Sequence, residues 1–497
     1  RVKSLPFVES DQPIVITHAD SLPQVKTQSI LAGTNISFSQ LTNEIHWNLG
    51  PNLYSSSTQN QEKIKEISIS FSQPIAKPTG VLALVGGRVV TMEADGVIED
   101  GVVLVEGNHI LAIGKKGDVI IPANATRIDL KGKTLIPGII DTHAHQPNGT
   151  NGIIPQQNWS AYGTLAFGVT TLFNPNTFTE EVFGAAEMQK AGNMLSPRIF
   201  STGMSLYGAY EPGHTALVNG IDDARFHMDR LKRVGAFAIK MHHHPRREQY
   251  QQIIEAAAEY EMMVLSEGGA LLQQDLGKIA DGASSIEHSV ALAKLYEDVY
   301  QFWSHTQAAS IPTLVVSFGG ISGENYWYEK TDVWKHPKLS KFVPQDILAP
   351  RSMGRTMAPE HHYNHFNVVK TGKEMHDRGI MVGIGGHGQR EGLAAHWEMW
   401  MMQQGGMTPM EALRAATIVP ARHLGLDKNL GSIKVGKLAD LAVIDGDVLN
   451  DIRDSDKVVY VILNGRIYDA ETMHYIGGGS EKKRTSFYFE SRDNKEK

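Results

Sequence analysis

Between residues 135 and 425, short apolar runs alternate with amphipathic helical patterns, and this alternation limits what the chain can fold into more than any other feature. The strand candidates are Leu135–Asp141, Val169–Phe173, Arg198–Thr202, Ala236–Met241, Met263–Glu267, Ser284–His288, Ile311–Val316 and Met381–Ile384. Apolar residues at helical spacing fill most of the gaps, as in Asp222–Val234 and Arg246–Tyr260. Eight strands alternating with crossover helices predict an α/β protein built on a (β/α)8 TIM barrel. A doubly wound open sheet is the competing architecture, but it usually has fewer strands and a glycine-rich phosphate loop, which this sequence lacks.

Active sites of such barrels lie at the C-terminal ends of the strands. His143 and His145 close the first strand, in Leu135-Ile-Pro-Gly-Ile-Ile-Asp-Thr-His-Ala-His145. Side chains at i and i+2 of a strand point the same way, so this pair can present two imidazoles to one metal ion. Lys240 closes strand four, Glu267 strand five and His288 strand six, and His387 follows strand eight. Singly, these read as a solvated lysine, a helix cap and a satisfied core histidine. Together they bring polar groups from separate strands to one rim, which a site requires and a core avoids.

Composition narrows the partners. The net charge is −7, with 47 basic and 54 acidic side chains and no basic block, so a nucleic-acid partner is not expected. No apolar run approaches the roughly 18 to 20 residues that cross a bilayer, which argues against membrane insertion. A small-molecule substrate is the default, and a homo-oligomer is left open. With no cysteine, any metal must be held by histidine, carboxylate or modified lysine. The sequence starts at Arg1 without an initiator methionine or a signal-peptide pattern, so it is expected to begin inside a longer polypeptide.

The flanks of the barrel are β-rich. Residues 1–80 read as hairpins, the expected end of an N-terminal β-domain such as a propeller or a complete small β-domain. Residues 81–134 and 426–476 are each too small to fold alone and are expected to pair into one composite β-sandwich, with turns at Gly107-Asn108 and Asn464-Gly465. The barrel then occupies 135–425, and 477–497 read as a flexible tail in which Ser486–Phe489 could anchor.

These motifs resemble the amidohydrolase superfamily of metal-dependent hydrolases. The resemblance covers most of residues 81 to 475 and rests on the histidine strand, Ala238-Ile-Lys240, Ser285-Ile-Glu-His288 and Gly431-Ser-Ile-Lys-Val-Gly-Lys-Leu-Ala-Asp440-Leu. It is nearest to the imidazolonepropionase/prolidase-like branch in which the hydrolase follows a TolB-like propeller, which implies a periplasmic or otherwise extracytoplasmic setting. By this resemblance His143, His145 and His288 are metal ligands, and Lys240 is the lysine often carbamylated to bridge two metals. One or two divalent ions are implied, zinc first, with iron or manganese as alternatives.

Two positions depart from that pattern. Glu267 stands where strand five usually carries histidine; a carboxylate can still ligate, with a bias toward harder metals. His387, in Gly383-Ile-Gly-Gly-His387, stands where strand eight usually carries the aspartate that accepts the proton of the attacking water. A histidine can bind metal or take that proton.

The expected reaction is hydrolysis of an amide, cyclic imide or dipeptide C–N bond by a metal-activated water. His387 would serve as base, and His214 would polarise the carbonyl or bind substrate. The alternative is a degenerate metal-binding barrel that acts as a scaffold. His242-His243-His244 reads as supporting or surface residues. The long stretch 317–364, with Tyr326-Trp-Tyr328 and Trp334, reads either as a pocket-lining lid or as a packing surface.

Overall fold

In the computed structural model, the residues described are 2–6, 25–29, 33–58, 64–94, 96–209, 215–243, 246–269, 271–290, 292, 294–477, 482–487 and 489–490. Parallel strands run in barrel order: Ile139–Asp141, Val169–Asn174, Arg198–Ser201 with Ser205–Tyr207, Ala238–Met241, Met263–Glu267, Ser285–Glu287 and Ala309–Ile311. Strand eight is held by Ser310 N–H to Met381 C=O at 2.8 Å and Gly383 N–H to Ser310 C=O at 3.0 Å. The ring closes where Thr142 Oγ1 donates to Ile384 C=O at 2.7 Å. Helices cover it through apolar faces at helical spacing: Arg247–Glu259 buries Tyr250, Ile253, Ala256 and Ala257. The fold is therefore a (β/α)8 barrel.

Two expectations are corrected and one open alternative is decided. The first strand is not continuous: Thr134–Pro137 pairs with Leu441–Ile444 in another sheet, and only Ile139–Asp141 enters the barrel. Gly138 permits the switch, because a Cβ there would fall inside the Thr170 side chain. Strand seven ends at Ile311, and Leu314–Val316 form a 3-10 turn after Thr313, whose φ of 42° stops the extended run. The stretch 317–364 is folded into helices, including Gly323–Lys330 and Gln345–Met353. Trp327 points inward against Trp400 at 5.2 Å, and Tyr328 against Trp397 at 5.6 Å, so these rings pack a core and do not line a pocket. Met399 to Met402 lie on the facing helix Leu393–Gln404, all buried.

The two flanks share one eight-stranded sheet, in which Thr134–Pro137 bridges Val81–Val90 and Leu441–Ile444. Leu84, Val103, Leu135, Val443 and Ile462 of that sheet pack into a single buried cluster. Asn464 and Gly465 turn its last hairpin at φ 51° and 76°. Toward the N-terminus, Thr34–Ser39, Glu44–Leu49, Asn52–Ser57 and Lys65–Ser68 form an antiparallel meander that buries Ile45, Trp47 and Leu49. Among the described residues there is no ring of such blades. Near the C-terminus Phe487 is buried between Tyr162 and Phe342, so this part of the expected tail is docked. No helix among the described residues is long and apolar enough to cross a membrane.

Candidate metal centre

Four imidazoles meet at the C-terminal rim. His143 and His145 leave the end of strand one on the same side, and their Nε2 atoms are 3.2 Å apart. His387 stacks on His143 with ring centroids 5.1 Å apart and lies edge-on to His145 at 4.7 Å. Its backbone N–H donates to His143 C=O at 2.6 Å, which ties strand eight's loop to strand one. Candidate ligand atoms of His143, His145 and His387 all lie within 4.8 Å of one another. His288 completes the ring, 4.8 Å from His143 and 5.2 Å from His387 between centroids.

Beside the imidazoles sits a charged pair. Lys240 Nζ lies 2.6 Å from Glu267 Oε2, and His288 Nε2 lies 3.1 Å from Oε1. Burial alone would raise the Glu267 carboxyl, but Lys240 and His288 hold it well below the usual carboxylate range, so it is an anion. Behind Glu267, buried Lys278 donates to its C=O at 2.6 Å and to Asp275 at 3.3 Å.

A second layer fixes the rings. His143 Nδ1 and Glu287 Oε2 share a hydrogen bond of 2.6 Å, and Ser285 Oγ donates to Oε1 at 2.5 Å. Burial pushes the Glu287 carboxyl up to about 7 and the His143 imidazole well below its usual value. Both shifts favour neutral forms, so the contact is a hydrogen bond rather than an ion pair; with the proton on Nδ1, the Nε2 lone pair of His143 faces the centre. Nδ1 of His288 is 2.6 Å from Thr313 Oγ1. Asp141 Oδ1 accepts from the backbone of Gly386 at 3.0 Å and of His143 at 3.2 Å. His288, Thr313 and His387 hold positive φ angles of 67°, 42° and 56°, backbone strain of the kind that gathers at functional sites.

Burial and neighbouring positive charge lower His145 to about 4 and His387 to about 2. Three neutral imidazoles with converging nitrogens suit a divalent cation, whereas without one either two lone pairs meet or one ring must donate to the other. A second candidate group, His376, Asp377 and Glu411, lies on the outside of the barrel and already contains Lys373.

Of the residues expected at the site, His143, His145, Lys240, Glu267, His288 and His387 are brought together, while His214 lies outside the described residues. The backbone N–H of His242 donates to Leu206 C=O, its ring packs on Tyr207 and His243, and His244 is also outside the described residues. Sequence reasoning missed Glu287, Asp141 and Thr313. A carboxylate at the C-terminal end of a buried barrel strand was the available signal for the first two.

The comparisons with known proteins put the protein among hydrolases that act on carbon–nitrogen bonds, and the barrel with its histidine rim agrees with that class. The chain belongs to the amidohydrolase family, whose model matches residues 134–468. It is 23% identical over 414 residues to 5-methylthioadenosine/S-adenosylhomocysteine deaminase of Symbiobacterium thermophilum, covering 74% of this chain and 85% of that protein. Among solved structures it resembles a putative prolidase from Bifidobacterium longum, with a TM-score of 0.62 and 23% identity over 85% of this chain and 99% of that one. It also resembles a Xaa-Pro dipeptidase with methionine bound in its active site, with a TM-score of 0.60 and 22% identity over 78% of this chain and 100% of that one.

Proposed function

We propose that His143, His145 and His387 hold a divalent ion, that His288, Glu267 and Lys240 complete the centre, and that the chain hydrolyses an amide, cyclic imide or dipeptide bond there. The observation that carries this reading is the convergence of neutral ring nitrogens around one point, with Glu287 fixing the tautomer of His143. Zinc suits the imidazoles best; the Glu267 carboxylate leaves room for iron or manganese. A divalent ion at this point would polarise a substrate carbonyl and acidify a water molecule.

The protein's own groups do the rest. Glu267 is the anion nearest the imidazoles, and its charge would balance part of a divalent ion's, while Lys240 holds its other oxygen in place. His387 was expected to be the base, but its ring shares one cluster of candidate ligand atoms with His143 and His145, which favours a ligand role. It is therefore read as a ligand. The barrel rim supplies a site for a small molecule, and that agrees with relatives named as deaminases and dipeptidases.

Elemental analysis of protein purified without added metal tests the reading, combined with a hydrolysis screen over N-acyl amino acids, dipeptides, cyclic amides and lactones. Stoichiometric metal and chelator-sensitive turnover are expected. A folded protein with little metal and no turnover would instead support the scaffold reading, which histidine in place of the strand-eight aspartate also favours.

A further inference from the structure

Behind the histidine centre, toward the helix Trp159–Ala166, lies a cavity of about 20 Å³ lined by Asp141, Gln146, Ser160, Thr164, Gly386 and Glu391, among others. A water molecule needs about 10–15 Å³ and two to four polar partners. Gln146 is 5% exposed, and neither its Oε1 nor its Nε2 has a hydrogen-bond partner among the described residues. Glu391 is half-buried, yet its Oε2 is enclosed and equally unpartnered. Buried polar atoms are rarely left this way, and here three of them belong to two residues that line one space large enough for a water.

The positions of these residues in the chain give the cavity its meaning. Gln146 directly follows His145 at the end of strand one, and Glu391 belongs to the turn that begins at His387. The backbone of that turn is crowded against strand one, since a Cβ on Gly388 would strike the His145 backbone. We infer that one buried water occupies the cavity, accepting from Gln146 Nε2 and donating to Glu391 Oε2, and so bridges the two segments that carry His145 and His387. Gln146 and Glu391 are then positioning residues for the centre. This role rests on the metal reading above, whereas the water itself does not.

A high-resolution crystal structure of the full chain tests the water directly: density for a water within hydrogen-bond distance of both side chains is expected. An empty cavity, or one that holds a cation, overturns the inference. Gln146→Met fills the space without a matching donor and acceptor, and should weaken metal binding, measured by chelator competition, about tenfold. Glu391→Gln keeps an acceptor for the water and should weaken it by no more than about twofold, on the same scale. Equal metal affinity in Gln146→Met and the unaltered protein removes the positioning role. If Gln146→Met does not fold, the density in the unaltered protein decides. Absence of metal from the unaltered protein overturns the metal reading and the positioning role with it, and leaves the density to decide the water.

Discussion

Oε2 of Glu287 lies 2.6 Å from Nδ1 of His143, with both side chains almost wholly enclosed, at 1% and 0% exposure. A histidine held in this way has one tautomer and one ring orientation, so its free nitrogen is aimed before any ion arrives. Glu287→Gln keeps the shape but weakens the acceptor. Its metal affinity, read by chelator competition, should fall about tenfold with the melting temperature little changed. An unchanged affinity would show that the ring is oriented by packing alone.

His387→Ala separates the two roles available to that residue. As a ligand, its loss should strip metal and activity together, and bound metal per chain should drop well below that of the unaltered protein. Normal metal content with lost turnover would return His387 to the role of proton acceptor.

Glu398 is fully buried on the helix Leu393–Gln404 and accepts from Val315 N–H at 2.8 Å. Burial raises its carboxyl from 4.5 to about 8, against the pull of neighbouring backbone N–H groups. Between those values the unfolded chain has released the proton that the folded protein keeps, so stability falls as pH rises through this window. Every tenfold difference in proton affinity between the two states corresponds to roughly 1.4 kcal/mol. The melting temperature of the unaltered protein should therefore drop relative to Glu398→Gln as pH is raised from about 5 to about 8, the variant lacking this ionisation.

Lys278 and Asp275 are both at 0% exposure, and Lys278 also holds the main chain of Glu267. Lys278→Met leaves a buried carboxylate without its cation, which should cost about 3–5 kcal/mol in urea unfolding. Replacing Lys278 and Asp275 together by apolar residues should recover part of that loss.

Gly138→Ala places a methyl group in the space of Thr170, at the point where the chain passes from one sheet to the other. Overpacking of this kind should destabilise the protein by about 1–3 kcal/mol, measurable by thermal or urea unfolding.

The sequence was most readable where chemistry and periodicity coincide. His143 and His145 are two residues apart on an apolar run, and that spacing alone places both rings on one side. The strand ends at Lys240, Glu267 and His288 could be read because polar residues closed apolar runs. The break at Gly138 was hidden because Leu135–Ile136 before it and Ile139–Ile140 after it are equally apolar, and pattern cannot tell one buried sheet from another. Strand seven was misplaced for a similar reason: Leu314 and Val315 are as apolar as a strand but turn after Thr313. Glu287 meets His143 across 144 positions of sequence, a pairing that only the closed barrel creates. The aromatic run at Tyr326 gave no sign of its direction, because lids and cores use the same rings.

Thr134 Oγ1 donates to Gly446 C=O across 312 positions, beside the pairing of Thr134–Pro137 with Leu441–Ile444. This gives the molecule an order of assembly. While the chain is being made, the strand edge beside Leu135 stays open until the whole barrel has been synthesised, and apolar edges in that state invite pairing with other chains. Loss of the last three strands of that sheet would leave the same edge bare in the finished protein. Shortened versions should therefore fail first by self-association, with the histidine centre still encoded in full.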